Sequence, residues 1–109
     1  MAFHEGFDFP DSFVDDVKAM TYTSFAESYE GGRDFTASER LDDRIASTGL
    51  PVTVIFGAED RIVNPESADD YRDIPGAKVV VLPGIGHTPQ MEAPARSAAL
   101  VRERDRSAR

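Results

Sequence analysis

The sequence contains no cysteine, and it has few basic residues relative to acidic ones. Without cysteine, disulfide bonds, thiolate metal sites and a cysteine nucleophile are excluded within these 109 residues. The 12 lysine and arginine residues stand against 20 aspartate and glutamate residues, which gives a net charge of −8. Nucleic-acid binding requires clustered Lys and Arg, and anionic membrane surfaces attract basic segments, so we predict neither kind of partner.

Long apolar runs are also absent, because no stretch approaches the roughly 18 residues of a transmembrane helix. Residues 1–10 contain no basic region followed by an apolar run, so we predict no secretory signal and a cytoplasmic location. A chain of 109 residues predicts one domain at most. Its hydrophobic content of 40% is typical of a soluble globular protein.

Apolar residues recur at helical spacing in the first part of the chain. The spacing from Asp11 onwards predicts one helix or two short ones, ended by Gly31 and Gly32. Thr36 and Glu39 then fit a capping box that begins another helix. The aromatic face of the first helical region either packs on a protein core or lines a ligand pocket. The candidate substrate-binding residues on that face are Phe13, Tyr22, Phe25 and Tyr29.

Residues 50–94 predict a strand–helix–strand unit. Residues 51–56 and 78–82 are apolar runs of strand length, with apolar side chains on both faces, as in strands buried in a parallel sheet. Between them, Asn64 is suited to the N-cap of a helix and Pro65 to its first position. A right-handed crossover places the carboxyl ends of both strands at one edge of the sheet.

Two chemically suitable side chains follow those strand ends. Asp60 follows the first strand and His87 follows the second, at the edge where open α/β sheets bind ligands. An acid partner fixes the tautomer of a histidine base and stabilises its imidazolium, so we predict a catalytic pair. Gly84 and Gly86 permit close backbone approach beside the histidine. Alternatively, Asp60 only caps its turn and His87 is an ordinary loop residue.

These two loops resemble the C-terminal acid and histidine motifs of the α/β-hydrolase superfamily. Residues 57–63, GAEDRIV, match the acid motif, and residues 84–94, GIGHTPQMEAP, match the histidine motif at the separation that the superfamily shows. The resemblance implies that Asp60 is the triad acid and His87 the general base. Glu92 also matches a recurrent position of the family, which we interpret as structural because negative charge is favoured near a helix N-terminus.

The resemblance implies an α/β fold class, namely the C-terminal βαβ-plus-helix portion of an α/β-hydrolase parallel sheet, preceded by cap-type helices. We accordingly divide the chain into three segments. These are a cap-like helical segment at residues 1–49, the core segment at residues 50–103 and a frayed tail at residues 104–109.

The sequence departs from the family at the nucleophile. The superfamily's chain order is nucleophile, acid, histidine, and no serine of this chain stands in a G-x-S-x-G frame. We therefore expect the C-terminal part of a longer hydrolase, whose N-terminal half is supplied in cis or by a partner chain. We expect residues 1–109 alone to be marginally stable and inactive on activated esters.

The resemblance implies nucleophilic hydrolysis of a small, partly apolar substrate, with no metal or organic cofactor. A Ser or Asp nucleophile attacks the substrate, and His87, oriented by Asp60, activates the nucleophile or a water molecule. The bond cleaved stays open, because the superfamily hosts ester, amide, epoxide, haloalkane and carbon–carbon chemistry. An alternative from another class is a stand-alone, non-catalytic module that binds a partner or oligomerises through its exposed sheet edge.

Overall fold

A computed structural model describes residues 2–108 of the chain. Helices occupy most of the first half, and two strands with short helical segments occupy the second half. In chain order the elements are α1 (Asp11–Ala19), α2 (Tyr22–Ser38), α3 (Leu41–Ser47), β1 (Thr53–Gly57), a 3₁₀ helix (Pro65–Tyr71), β2 (Lys78–Leu82), α4 (Pro89–Glu92) and α5 (Pro94–Ala108).

Strands β1 and β2 form a parallel sheet, in register from Thr53 opposite Lys78 to Gly57 opposite Leu82. The predicted fold class, a strand–helix–strand unit preceded by helices, is confirmed. The connecting helix is a 3₁₀ helix rather than an α-helix, and the Asn64 side chain caps its first turn as predicted. The 3₁₀ helix contacts both strands, and α4 and α5 contact β1.

The apolar core of the described residues is small. Ala68, Ile74 and Leu82 are its buried apolar members, and Leu82 at the end of β2 is completely covered. The other strand residues apart from Gly57 are half-buried. Helices α1 to α3 contribute no buried residue within residues 11–47. The aromatic face of the first helical region is mostly exposed, and Tyr22 is 85% exposed.

The helix end predicted from Gly31 and Gly32 is wrong. The helix continues through Gly31 and Gly32, where the sequence predicted a break, and both glycines keep negative φ. A glycine inside a helix costs only about 0.5–1 kcal/mol, which the surrounding helical turns tolerate. Thr36 lies inside this helix rather than at a cap, and its hydroxyl donates to the backbone carbonyls of Gly32 and Arg33. Such back-bonding is typical of threonine within a helix.

The last helix is longer than predicted. Helix α5 continues to Ala108 and so covers residues 104–108 of the predicted frayed tail, while Arg109 lies outside the described residues. The reason is a set of long-range hydrogen bonds that hold this part of the helix and that sequence spacing does not show. Arg104 donates to the Thr53 hydroxyl and to the backbone carbonyls of Val52 and Gly76. The placement of the segment boundaries at residues 49 and 103 stays a prediction.

Replacing Arg104 with alanine is expected to lower the free energy of unfolding by about 1.5–3 kcal/mol, since hydrogen bonds from a charged donor are lost. Lysine at this position should not restore stability, because one ammonium group cannot reproduce the planar fork that reaches three acceptors. Urea denaturation measures the difference, with the exposed Arg102→Ala variant as control. Equal midpoints for the two alanine variants would contradict the anchoring role.

Within residues 2–108, no helix combines the length and the apolar content that crossing a membrane requires.

Candidate active site

Asp60 lies in the tight turn that follows β1. Backbone hydrogen bonds hold this turn, from Ala58 to Leu82 and from Glu59 to Ile85. The Asp60 side chain is 4% exposed. Its Oδ1 atom accepts the backbone N–H groups of Ile62 at 2.8 Å and Val63 at 2.9 Å. One carboxylate oxygen is thus committed to the turn, and Oδ2 is left to face the next loop.

The Oδ2 atom of Asp60 meets the imidazole of His87. The distance from His87 Nδ1 to Asp60 Oδ2 is 2.9 Å, across 27 positions of sequence. An ionised carboxylate only accepts hydrogen bonds, so Nδ1 carries the ring proton and Nε2 is the atom able to receive one. The imidazole is 38% exposed, so part of the ring can be reached from outside the protein.

The environment of Asp60 favours its ionised form. Burial by itself raises the pKa of this carboxyl, but hydrogen bonds from Val63, His87 and Ile62 outweigh burial, and the pKa lies below its ordinary value of 3.8. The side chain is therefore negative at neutral pH and able to stabilise an imidazolium. Oδ1 of Asp60 caps the turn while Oδ2 accepts a hydrogen bond from the histidine, so the side chain does more than cap its turn. A catalytic role for the pair stays a prediction.

Close glycine packing brings the two loops together. A side-chain carbon at Gly57 would lie less than 3.0 Å from the backbone of Ile85 and Gly86. One at Gly86 would lie 2.7 Å from the His4 nitrogen and 2.8 Å from the Ala2 oxygen. The sequence indicated close backbone approach at Gly86, but it placed Gly57 only as the first residue of the acid motif. The histidine loop that packs against Gly57 is distant in sequence, so no local pattern reveals that Gly57 is a site of close approach.

Glu92 has a larger part in the site than the sequence suggested. Its side chain is 0% exposed, and its carboxylate accepts hydrogen bonds from the backbone of His4, Gly86 and Thr88 and from the Thr88 hydroxyl. Burial raises the pKa of this carboxyl, but these bonds together lower it below its ordinary value of 4.5. The expected reason for the acid, helix-terminal charge, is secondary to its hydrogen bonds with the histidine loop.

A cavity of about 300 Å³ opens beside the Asp60–His87 pair. Its wall is apolar and comes from β1, the acid turn, α3 and the 3₁₀ helix. The apolar side chains lining it are Leu41, Ile55, Phe56, Val63 and Tyr71.

The structure places the four predicted substrate-binding aromatics elsewhere. Among the described residues, the lining of the cavity beside His87 includes none of them. Phe13 packs edge-on against the rings of Phe3 and Phe9, and Phe25 stacks on Tyr29 at 6.4 Å between ring centroids. Tyr22 is exposed. A role for these aromatics in substrate binding stays a prediction.

Within residues 2–108, no group of three or more histidine, aspartate or glutamate side chains is arranged so that it could hold a metal ion.

Comparison with known proteins places this arrangement in a fold family. No family model matches the chain. Among solved structures, the chain is similar to a serine hydrolase involved in carbazole degradation, the CarC enzyme. The TM-score is 0.73 at 18% identity, over 94% of this chain and 42% of that one. The chain has the fold of the C-terminal part of an α/β-hydrolase.

Two further proteins resemble part of this chain. A thermophilic esterase from Thermogutta terrifontis, solved with malate bound, is 35% identical with a TM-score of 0.56, over 62% of this chain and 25% of the esterase. Lipase 3 from Moraxella sp. (strain TA144) is 34% identical over 50 residues, which are 45% of this chain and 16% of the lipase. The chain matches less than half the length of each of these three proteins.

Acid is expected to destabilise this chain through Asp60 and Glu92. Both carboxyls have a lowered pKa in the folded chain, so the folded state binds protons less readily than the unfolded one. Their contribution to stability is complete above the ordinary values of 3.8 and 4.5 and is lost as pH falls through the lowered ones.

Urea denaturation between pH 7 and pH 3 measures this loss. As pH falls, the free energy of unfolding should decrease less in the Asp60→Asn variant than in wild type. The control variant Asp73→Asn changes an exposed aspartate and should follow the wild-type curve. Parallel curves for wild type and Asp60→Asn would show that the carboxylate of Asp60 gains nothing from its hydrogen bonds in the folded chain.

Proposed function

We propose that this chain supplies the triad acid, Asp60, and the general base, His87, of an α/β-fold hydrolase whose nucleophile lies outside these 109 residues. The observation that carries the proposal is the 2.9 Å hydrogen bond between His87 Nδ1 and Asp60 Oδ2, with the other carboxylate oxygen held by two backbone N–H groups. The likeness to a serine hydrolase, an esterase and a lipase supports it.

The geometry suits a two-step mechanism. Nε2 of His87 takes the proton of a nucleophilic hydroxyl as that oxygen attacks the substrate carbonyl, and the imidazolium formed is stabilised by Asp60. His87 then gives the proton to the leaving group. In the second step it takes a proton from water, whose oxygen attacks the acyl intermediate, and returns that proton to the oxygen of the nucleophile as the acid leaves. If the nucleophile is instead an aspartate, His87 serves as base only for the water.

The lining of the cavity beside the pair supports a proposal about the substrate class. Its apolar lining suits a short acyl or alkyl group, since small-molecule sites combine apolar walls with a few polar groups. The esterase and lipase similarities favour an ester. We therefore propose a small, partly apolar ester as the substrate class.

The decisive experiment is to determine the DNA upstream of the Met1 codon. A frame that continues and encodes G-x-S-x-G between a strand and a helix, whose product hydrolyses p-nitrophenyl butyrate, supports the proposal. An elbow with aspartate in place of serine keeps the hydrolase role but changes the bond cleaved. The 109 residues alone should show no turnover. Turnover by this short chain that is lost in His87→Ala would contradict the proposed external nucleophile.

A second candidate follows from the exposed apolar surface. Phe25, Tyr29 and Phe35 on α2 are more than half exposed, and the strands of the sheet are half-buried. These surfaces favour binding to another chain, either in a non-catalytic module that oligomerises or in a complex where a separate chain brings the nucleophile. Size-exclusion chromatography with light scattering separates these cases. A defined homodimer supports the first, and a monomer that gains esterase activity with a second chain supports the other.

A further inference from the structure

We propose that Glu92 is a positioning residue, which holds the His87 imidazole in register with Asp60 and fastens residues 2–4 to the same loop. This inference rests on the function proposed above for the Asp60–His87 pair.

The contacts of Glu92 surround His87 on both sides. Oε1 accepts the backbone N–H of Gly86 at 2.9 Å, and Oε2 accepts the backbone N–H of Thr88 at 3.1 Å and its hydroxyl at 3.2 Å. Gly86 and Thr88 are the two chain neighbours of His87. Because one carboxylate holds the backbone N–H groups of both chain neighbours, Glu92 restricts the direction of the His87 side chain.

The same loop is tied to the acid turn from the other direction. The backbone N–H of Glu59, next to Asp60, donates to the carbonyl of Ile85 at 2.8 Å. The histidine loop is thus held between the turn that carries the acid and the carboxylate of Glu92. A small displacement of the loop at either end would lengthen the contact between Nδ1 of His87 and Oδ2 of Asp60.

Glu92 also joins the N-terminal segment to this loop. Its Oε1 accepts the backbone N–H of His4 at 2.7 Å, and the backbone N–H of His87 donates to the carbonyl of Ala2 at 2.6 Å. Residues 2–4 therefore lie against the histidine loop, in the space that a side chain at Gly86 would fill. Through Glu92, the position of the N-terminal segment becomes part of the geometry of the site.

The charge of Glu92 matters as well as its shape. The side chain is 0% exposed, and the basic group that the structure places near it is the imidazole of His4, whose Nε2 lies 3.9 Å from Oε1. Hydrogen bonds from the backbone of His4, Gly86 and Thr88 and from the Thr88 hydroxyl compensate its burial, and they lower its pKa. Glutamine has the same shape, but in either orientation its NH₂ group faces a backbone N–H, that of Thr88 or those of His4 and Gly86, so two donors would meet and the loop must shift.

The tautomer of His87 in ¹⁵N NMR spectra tests the proposal. The chain has two histidines, so a His4→Ala variant assigns the signals. Spectra are recorded on the 109-residue chain at about 15 °C, where most domains are near maximum stability. We expect wild type to show the Nδ1–H form. Glu92→Gln should shift His87 toward a mixture with the Nε2–H form, while Glu66→Gln, at an exposed carboxylate, should leave it unchanged.

A folded Glu92→Gln variant with the wild-type tautomer pattern would overturn the positioning role, as would a wild-type chain without the Nδ1–H form. If Glu92→Gln does not fold, Thr88→Val removes one donor to the carboxylate and should produce a smaller shift in the same direction. No shift in that variant then counts against the proposal. The NMR measurement needs no enzymatic turnover. The role of Glu92 can therefore be tested even if the proposed hydrolase function is wrong.

Discussion

Alanine at position 57 is expected to lower the free energy of unfolding by more than about 4 kcal/mol, a loss comparable to the whole stability of a small domain. The added carbon would lie less than 3.0 Å from three backbone atoms of Ile85 and Gly86, none of which belongs to a flexible side chain. Gly57 also ends β1 opposite Leu82, so it cannot move away without disturbing the sheet. Either the histidine loop leaves the acid turn or the chain unfolds.

A matched control exists in α2. Gly32 has no atom within 4 Å of an added carbon, and it lies inside a helix with negative φ. The Gly32→Ala variant should therefore be more stable than wild type by about 0.5–1 kcal/mol, because alanine loses less backbone entropy in a helix. Urea denaturation followed by circular dichroism compares the two. A wild-type midpoint for Gly57→Ala would contradict the close packing of the two loops.

The Asp60→Asn variant is expected to lower kcat by about 10⁴-fold in the enzyme that contains the nucleophile, the scale seen when a triad acid becomes an amide. The amide oxygen can still accept the backbone N–H groups of Ile62 and Val63, so the turn is kept. The amide NH₂ then points at Nδ1 of His87. That ring nitrogen must become the acceptor, which moves the proton to Nε2 and leaves no base for the nucleophile.

Hydrolysis of p-nitrophenyl butyrate measures the loss in kcat, and circular dichroism shows that the fold is retained. Asp73→Asn, at an exposed aspartate on the same connection, is the control and should keep wild-type kcat. A loss of less than tenfold in Asp60→Asn would mean that Asp60 is not the acid partner of the base. Asp60 would then serve as a turn cap alone.

Much of the site geometry was predictable because it depends on short-range patterns. Two apolar runs of strand length joined by a helical connection produce a parallel pair, and a parallel pair brings its two carboxyl ends to one edge. Asp60 and His87 each follow a strand end, so their proximity required no knowledge of side-chain packing. The Asn64 cap was predictable for the same reason, since its hydrogen bond spans two positions.

Other features were not predictable because competing local signals were nearly balanced. Gly31 and Gly32 indicated a helix break, but a helical glycine is only mildly unfavourable and α2 continues through both. Thr36 and Glu39 fitted a capping box, yet Thr36 also bonds within a helix. The aromatic face of α2 allowed a core or a pocket, and the structure leaves it exposed.

The sequence by itself determined the order of elements in residues 50–94 and the meeting of an acid with a histidine, because strand periodicity and chain direction dictate both. Tertiary structure alone decided how firmly that pair is held. Glu92, Gly57 and the N-terminal segment act on the histidine loop through hydrogen bonds and close contacts between distant parts of the chain. Such contacts depend on how the loops pack, which no local pattern of residues encodes.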